Sequence, residues 1–220
     1  MIHKLIPFVT ISVFALIFLA CNDAQNGKPS KESTEQAAKP EEVIVISDEQ
    51  LITGESVGKF RIGRSIPGKE SVAPYQISRE IITTTTEEGP YEETVYVLKD
   101  QETVLMHLKP EFDYETMQYN RKTGEIIVFS DQFKTEKGSG VHSTVEDFIK
   151  AYPDYKLWYT YVSGMFIIET PVLDVQFILD QEDFKGDVSN ADSEITNLEI
   201  SDFRKGAKIK QVRIFKSDAE

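Results

Sequence analysis

Leu173, Val175, Phe177 and Leu179 alternate with Asp174, Gln176 and Asp180. This two-residue period marks a strand with one buried face. Similar β-type runs fall at 77–86, 93–98, 103–109, 125–129, 155–162, 165–169, 195–200 and 208–215, with turn residues between them. Ser163-Gly164, between Tyr161 and Met165, reads as a tight hairpin turn, and Lys122-Thr123-Gly124 as a second. One segment has a helical period. Ser143 is placed to cap it, Glu146 three residues on completes a capping box, and Val145, Phe148, Ile149 and Tyr152 share a face before Pro153 stops it. The pattern predicts an α+β chain, mostly antiparallel β-sheet, with one or two short helices and a helix over 144–152 packed on the sheet.

The two halves of the body run in the same order. After Gly63-Arg64-Ser65 comes a short segment to Pro74-Tyr75, three strands, a loop and a strand ending at Phe129. After Gly140-Val141-His142-Ser143 comes the helix to Pro153, three strands, a longer loop and a strand ending at Phe215. A tandem duplication with repeats at 54–131 and 138–216 would give this order, although Pro67-Gly68 weakens a helix in the first copy. Helix followed by antiparallel strands, twice, resembles the β-lactamase-inhibitor fold and the small outer-membrane-assembly lipoproteins. The resemblance implies a fold of paired helix-plus-sheet units and carries no functional residue across.

The amino terminus has a different pattern. Lys4 gives a short positive region, and residues 5–19 are then apolar except for Thr10 and Ser12, with Pro7 interrupting the run. A basic start followed by an apolar core is a secretory signal. The stretch 5–20 is shorter than the ~17–25 residues of a spanning helix. It ends Phe18-Leu19-Ala20-Cys21, which resembles the lipobox of bacterial lipoproteins, with a small residue before the cut and Cys after it. The resemblance implies a signal peptide over 1–20, cleavage between Ala20 and Cys21, diacylglycerol on the Cys21 sulfur and acylation of the new amino group. Several acyl chains at ~0.8 kcal/mol per buried methylene hold a protein on a membrane where one chain holds it marginally. Cys21 is the single cysteine of the chain, so no disulfide competes for its sulfur.

Residues 22–42 (NDAQNGKPSKESTEQAAKPEE) contain Ala as their only apolar type and are expected to be a disordered tether. Cys21 and the tether together, 21–42, would hold the 43–220 domain at a coil distance of about 25 Å. Asn22 after the cysteine resembles outer-membrane sorting, which implies the periplasmic face of that membrane.

Composition narrows the function. The formal charge is −13 over 220 residues, a field that repels nucleic acid and favours solubility. Two histidines follow the tether, His107 and His142, and neither spacing builds a metal site or a triad. By alternation His107 shares a strand face with Thr103, Leu105 and Lys109, opposite Val104, Met106 and Leu108. The loop 180–194 holds Asp180, Glu182, Asp183, Asp187, Asp192 and Glu194 with Gly186 and Asn190. Clustered oxygens suit Ca²⁺, yet the spacing does not match an EF-hand, and a solvated acidic loop is the simpler reading. No nucleophile elbow, phosphate-binding glycine loop or His-Glu-x-x-His occurs. No cofactor is implied.

The most distinctive side chains are aromatic. Tyr155, Trp158, Tyr159, Tyr161 and Phe166 lie on one expected hairpin, with Trp158 and Tyr159 on opposite faces. One face is core; the other meets either a covering layer or a partner. The resulting expectation is a membrane-anchored envelope lipoprotein whose domain binds another envelope protein or a cell-wall component, without catalysis. The alternatives are an envelope hydrolase with a carboxylate/His site, and a structural Ca²⁺-binding lipoprotein. Mass spectrometry of the native amino terminus is expected to find a lipid-modified Cys21. Cys21→Ala is expected to yield a chain with no lipid mass that no longer sediments with membranes.

Overall fold

The computed structural model describes residues 46–86, 89–188 and 193–216. The signal segment, the lipobox and the expected tether lie outside the described residues. The described residues all belong to the unit 42–220. None of its described helices is long and apolar enough to cross a membrane.

The alternating runs become a nine-stranded sheet. The first half contributes β4 (Gln76–Thr86), β5 (Gly89–Asp100), β6 (Thr103–Asp113) and β7 (Gln118–Val128). The second contributes β9 (Lys156–Thr160), β10 (Met165–Thr170), β11 (Leu173–Leu179), β12 (Ile195–Asn197) and β13 (Ile209–Phe215). Their order is β12-β9-β10-β11-β13-β7-β6-β5-β4, every neighbouring pair antiparallel. The first half is a meander; in the second, β9 to β11 form a meander, β12 crosses to the outer edge beside β9, and β13 returns to β11. The two halves meet where β7 pairs with β13, Val128 opposite Val212 and Ile126 opposite Ile214. The mostly antiparallel α+β architecture expected from the pattern is the one found.

A small sheet of two-residue strands packs on one face of the large one. It comprises β1 (Leu51–Ile52), β2 (Ser56–Val57), β3 (Phe60–Arg61) and β8 (Lys134–Thr135), in the order β3-β2-β1-β8. Beside it lies α1 (Val145–Ala151), which directs Val145 and Phe148 into the core. Phe148 meets Phe177 of β11 at 4.7 Å between ring centroids. The buried Tyr152 hydroxyl donates to Thr135 Oγ1 at 2.8 Å, tying the helix end to the small sheet.

Three local expectations are corrected. The helix cap is Thr144, not Ser143: the Thr144 side chain accepts from the Asp147 backbone N–H at 3.1 Å and donates to Asp147 Oδ2. Ser143 instead accepts from Gly140 N, and Glu146 reaches Gly206 N across the structure. A one-residue shift separates two chemically similar caps, and docking of 206–209 on the helix start selects between them. Lys122-Thr123-Gly124 is not a turn but lies within β7. The chain reverses instead after Asp113, whose Oδ1 accepts from Glu115 N and Thr116 N, with Met117 in the left-handed region at φ 53°. Gly124 serves close approach, since a Cβ there would stand 2.8 Å from the Glu111 Cα. Leu105 does not share the face of His107. The β5–β6 register shifts between Leu98 and Lys99, and the bulge turns Leu105 into the core with Met106 and Leu108.

Helix and cap make separable contributions. Phe148→Ala is expected to cost about 3–5 kcal/mol of unfolding free energy. Thr144→Ala is expected to cost about 1 kcal/mol and Ser143→Ala less, as read from denaturant midpoints.

Candidate functional site

The face of the large sheet opposite α1 is neither bare nor covered by another layer of elements. Strict alternation along β5 sends Tyr96 and Leu98 to the core and Val95 and Val97 to this second face, and β6 sends His107 and Lys109 there beside them. Val95, Val97, Ile127, Ile167 and Ile178 are all buried, yet they stand outside the main core cluster. Curling of the sheet accounts for this. Six strand spacings separate β4 from β10, about 29 Å if the sheet were flat. A single cleft of about 840 Å³ is nevertheless lined by Ile82 of β4, by the β9–β10 turn at Tyr161–Gly164, and by residues of β5, β6, β7 and β13. The twist folds the sheet toward its own second face.

A chain of alternating charges crosses this face. Glu93 on β5 pairs with Lys109 on β6 at 2.9 Å, and Lys109 also pairs with Glu125 on β7 at 3.3 Å. Glu125 pairs with Arg213 on β13 at 2.6 Å, and Arg213 Nη1 donates to Gln176 Oε1 on β11 at 3.3 Å. Five consecutive strands are thereby linked by side chains as well as by backbone. The four charged side chains keep only 12–23% of their surface. Burial alone would pull the Lys109 ammonium down, but Glu125 and Glu93 more than offset it and hold it above the ordinary lysine range. Two carboxylates face two cations, so the ladder is neutral overall.

His107 stands next to Lys109 along β6 and packs edge-on against Phe129 at 4.7 Å. Burial depresses its imidazole below the ordinary value, against the opposing pull of Glu80, and it is neutral at neutral pH. The carboxylates near it are engaged: Glu80 by Ser78 and Lys99, Glu93 by Lys109. His142 lies elsewhere, ahead of α1, exposed and 3.5 Å from Asp131. The two histidines line no common cavity among those found.

The expected aromatic surface is divided. Phe166 is a correction: at 3% exposure it belongs to the core, stacked between Tyr159 at 4.9 Å and Phe184 at 4.4 Å. The covering layer there is not the helix but the loop carrying Phe184 and, beyond it, Phe203. Tyr155 and Tyr159 are half-buried against the core, although Tyr159 also borders the cleft. Trp158 sits opposite Ile167, half-buried on the second face. Of the five, Tyr161 is the one well exposed, at 52%, at the cleft rim beside Val162. Tyr91 and Phe129 join the lining from the other half of the sheet. The pattern left out Glu93, Lys109, Glu125 and Arg213 because each is an ordinary surface charge until pairing lines them up.

In the acidic loop, Asp180 caps the 3-10 turn Gln181–Asp183, accepting from Glu182 N, and lies 3.5 Å from Lys210 Nζ. Asp183 accepts from the Lys208 backbone N–H at 3.0 Å. Asn190 and Asp192 lie outside the described residues. Among the described residues no three His, Cys, Asp or Glu side chains gather as a metal-holding group.

Neither a family model nor a curated protein matches this chain. Among solved structures it is similar to the uncharacterized protein yfeY from Escherichia coli, with a TM-score of 0.51 at 10% identity, over 76% of this chain and 99% of that one. The two share a fold. The domain is therefore a β-rich module of a fold seen in another protein, and nothing in the comparisons points to an enzyme family.

Two changes probe this face. Glu125→Ala leaves Lys109 one partner short and frees Arg213 from its carboxylate; breaking a buried pair costs ~3–5 kcal/mol, and partial exposure brings the expected loss to about 2 kcal/mol. His107 gives a pH signature. Its folded pKa lies below its unfolded value of about 6.5, so the stability from keeping it neutral is present above that value and lost as pH falls through the folded one. Between pH 7 and 5 the unmodified chain is expected to lose stability relative to His107→Gln, as read from urea midpoints.

Proposed function

We propose that this chain is a lipid-anchored protein of the bacterial cell envelope, held through Cys21 on the periplasmic face of the outer membrane, whose β-rich domain is a non-enzymatic binding module. The partner is another envelope protein or a cell-wall component, and it sits in the cleft on the second face of the large sheet. One observation carries this reading: the cleft brings an exposed Tyr161 and Val162 together with Tyr91 and Phe129 over a floor whose charges are already paired. Large amphipathic rings at a rim supply contact area at low conformational cost. A floor neutralised from within attracts no strongly charged ligand and favours a partner segment with little net charge.

The cleft also revises the surface expected from the hairpin. Tyr161 remains in it, Phe166 leaves it, and strands distant in sequence supply the rest. Lipidation and tethering would keep such a site near the membrane without fixing its orientation, which suits capture of an envelope component.

A photo-activated cross-linking residue at Tyr161 in the full chain, expressed in living cells, is expected to give discrete adducts. Those adducts should weaken when Tyr91→Ala and Phe129→Ala are added. A cross-linker at exposed Lys59, remote from the cleft, is the comparison. Identical adduct patterns from both positions would refute the cleft as the binding site.

A further inference from the structure

One edge of the large sheet is β4, and among the described residues it pairs with β5 alone. The pairing runs from Gln76 opposite Lys99 to Thr86 opposite Gly89 without a register shift. In contrast, β5–β6, β6–β7, β10–β11 and β11–β13 all carry shifts. The outer side of β4 is thus an even row of backbone N–H and C=O groups, 11 residues long. Edges of this kind are usually blunted by proline, lysine, a bulge or shortness. The opposite edge is blunted by shortness, since β12 has three residues. The sequence of β4, QISREIITTTT, has no proline or lysine and its only charges, Arg79 and Glu80, are adjacent and opposite in sign, while Ile81 at its centre is 63% exposed.

We propose that β4 is a dimerisation edge, pairing antiparallel with β4 of a second copy of this chain. What such an edge accepts is another extended strand, bound through main-chain hydrogen bonds. Two features favour a second copy. The first is register. A two-fold axis normal to the sheet keeps each side chain on its own face, so residues of equal parity must stand opposite. An axis through Ile81, the middle residue of β4, opposes the whole strand to itself, with Ile81 against Ile81, Arg79 against Thr83 and Glu80 against Ile82. Moving the axis to Glu80 would set two carboxylates against each other, and moving it further would leave residues unpaired at one end.

The second feature is charge. A chain of formal charge −13 repels its own copies over most of its surface. The described side chains of β4 carry one charge of each sign, Arg79 and Glu80, and Glu80 is held by Lys99 at 3.2 Å and by Ser78. This edge is a locally neutral approach on an acidic protein. Because the axis is normal to the sheet, the dimer is one continuous sheet with both clefts opening on the same side, and Ile82 lies both in the interface register and in the cleft lining. Confinement to a membrane would raise the effective concentration of the pair, but the proposal does not depend on the lipid reading.

The test is cysteine cross-linking of the full chain in cells, oxidised with copper phenanthroline and read on non-reducing gels. Ile81→Cys is expected to run mainly as a reducible dimer, and co-expressed Arg79→Cys and Thr83→Cys chains as a mixed dimer. The unmodified chain and Tyr114→Cys, at 82% exposure on the β6–β7 turn, are expected to show no cross-linked band on these gels. Sedimentation of the purified full chain supplies a readout without new cysteines: a dimer for the unmodified protein and at least a tenfold weaker association for Ile81→Lys with an unchanged circular-dichroism spectrum. Equal cross-linking of Tyr114→Cys, no cross-link at Ile81→Cys, or a monomer in sedimentation would each overturn the proposal, the last leaving the edge to a strand from another protein.

Discussion

The large sheet depends on the pairing of β7 with β13. Each meander is local: β4 to β7 follow one another through short turns, as do β9 to β11. Nothing local joins the two. The junction sets Val128 against Val212 and Ile126 against Ile214 on the core side, and on the other side seals Glu125 to Arg213 across 88 residues of sequence. Closing so long a loop has an entropic cost that grows only slowly with length, and the pairing of two apolar strands with one short ion pair offsets it. Without this junction there would be one four-stranded and one five-stranded sheet, each with a further exposed edge.

The same junction makes the candidate site. Lys109 and Glu93 come from the first meander, Arg213 and Gln176 from the second, and Glu125 links them. A half-buried ladder of this kind adds little stability compared with an apolar isostere. Its consequence is alignment. One register sets Lys109 opposite Glu125 and Arg213 opposite Gln176 and leaves Glu93 and Glu125 in diagonal reach of Lys109 and Arg213, and a one-residue slip would turn each of these side chains to the other face. The ladder and the apolar face thus specify the same register, and the curl that follows brings Ile82 and Tyr161 to one cleft.

Local chemistry was legible wherever one residue type met one need. The strand 173–179 has the bounds its alternation predicts, and the helix before Pro153 ends where expected. Legibility failed where two local solutions were equally good. Ser143 and Thr144 both cap, and the docking of 206–209 decides. Gly124 reads as a turn residue, but the approach of the Glu111 backbone explains it. Leu105 reads as a surface position in simple alternation, and a bulge inverts it. At the hairpin, alternation separates Trp158 from Tyr159 correctly, but covering of Phe166 by Phe184 and Phe203 depends on a loop with no period of its own.

By itself the sequence determined the class of the fold, most of its strands and its helix, because hydrophobic period is a local property that each segment carries alone. It also supplied the grounds for the lipid-anchor proposal, since a lipobox is read as a linear string around Cys21 and needs no fold. The neutral ladder, the curl, the cleft and the open edge at β4 were decided only by the tertiary structure. Each depends on which strand lies beside which, and strand partners are chosen by register and apolar area summed over the whole sheet, not by any one segment.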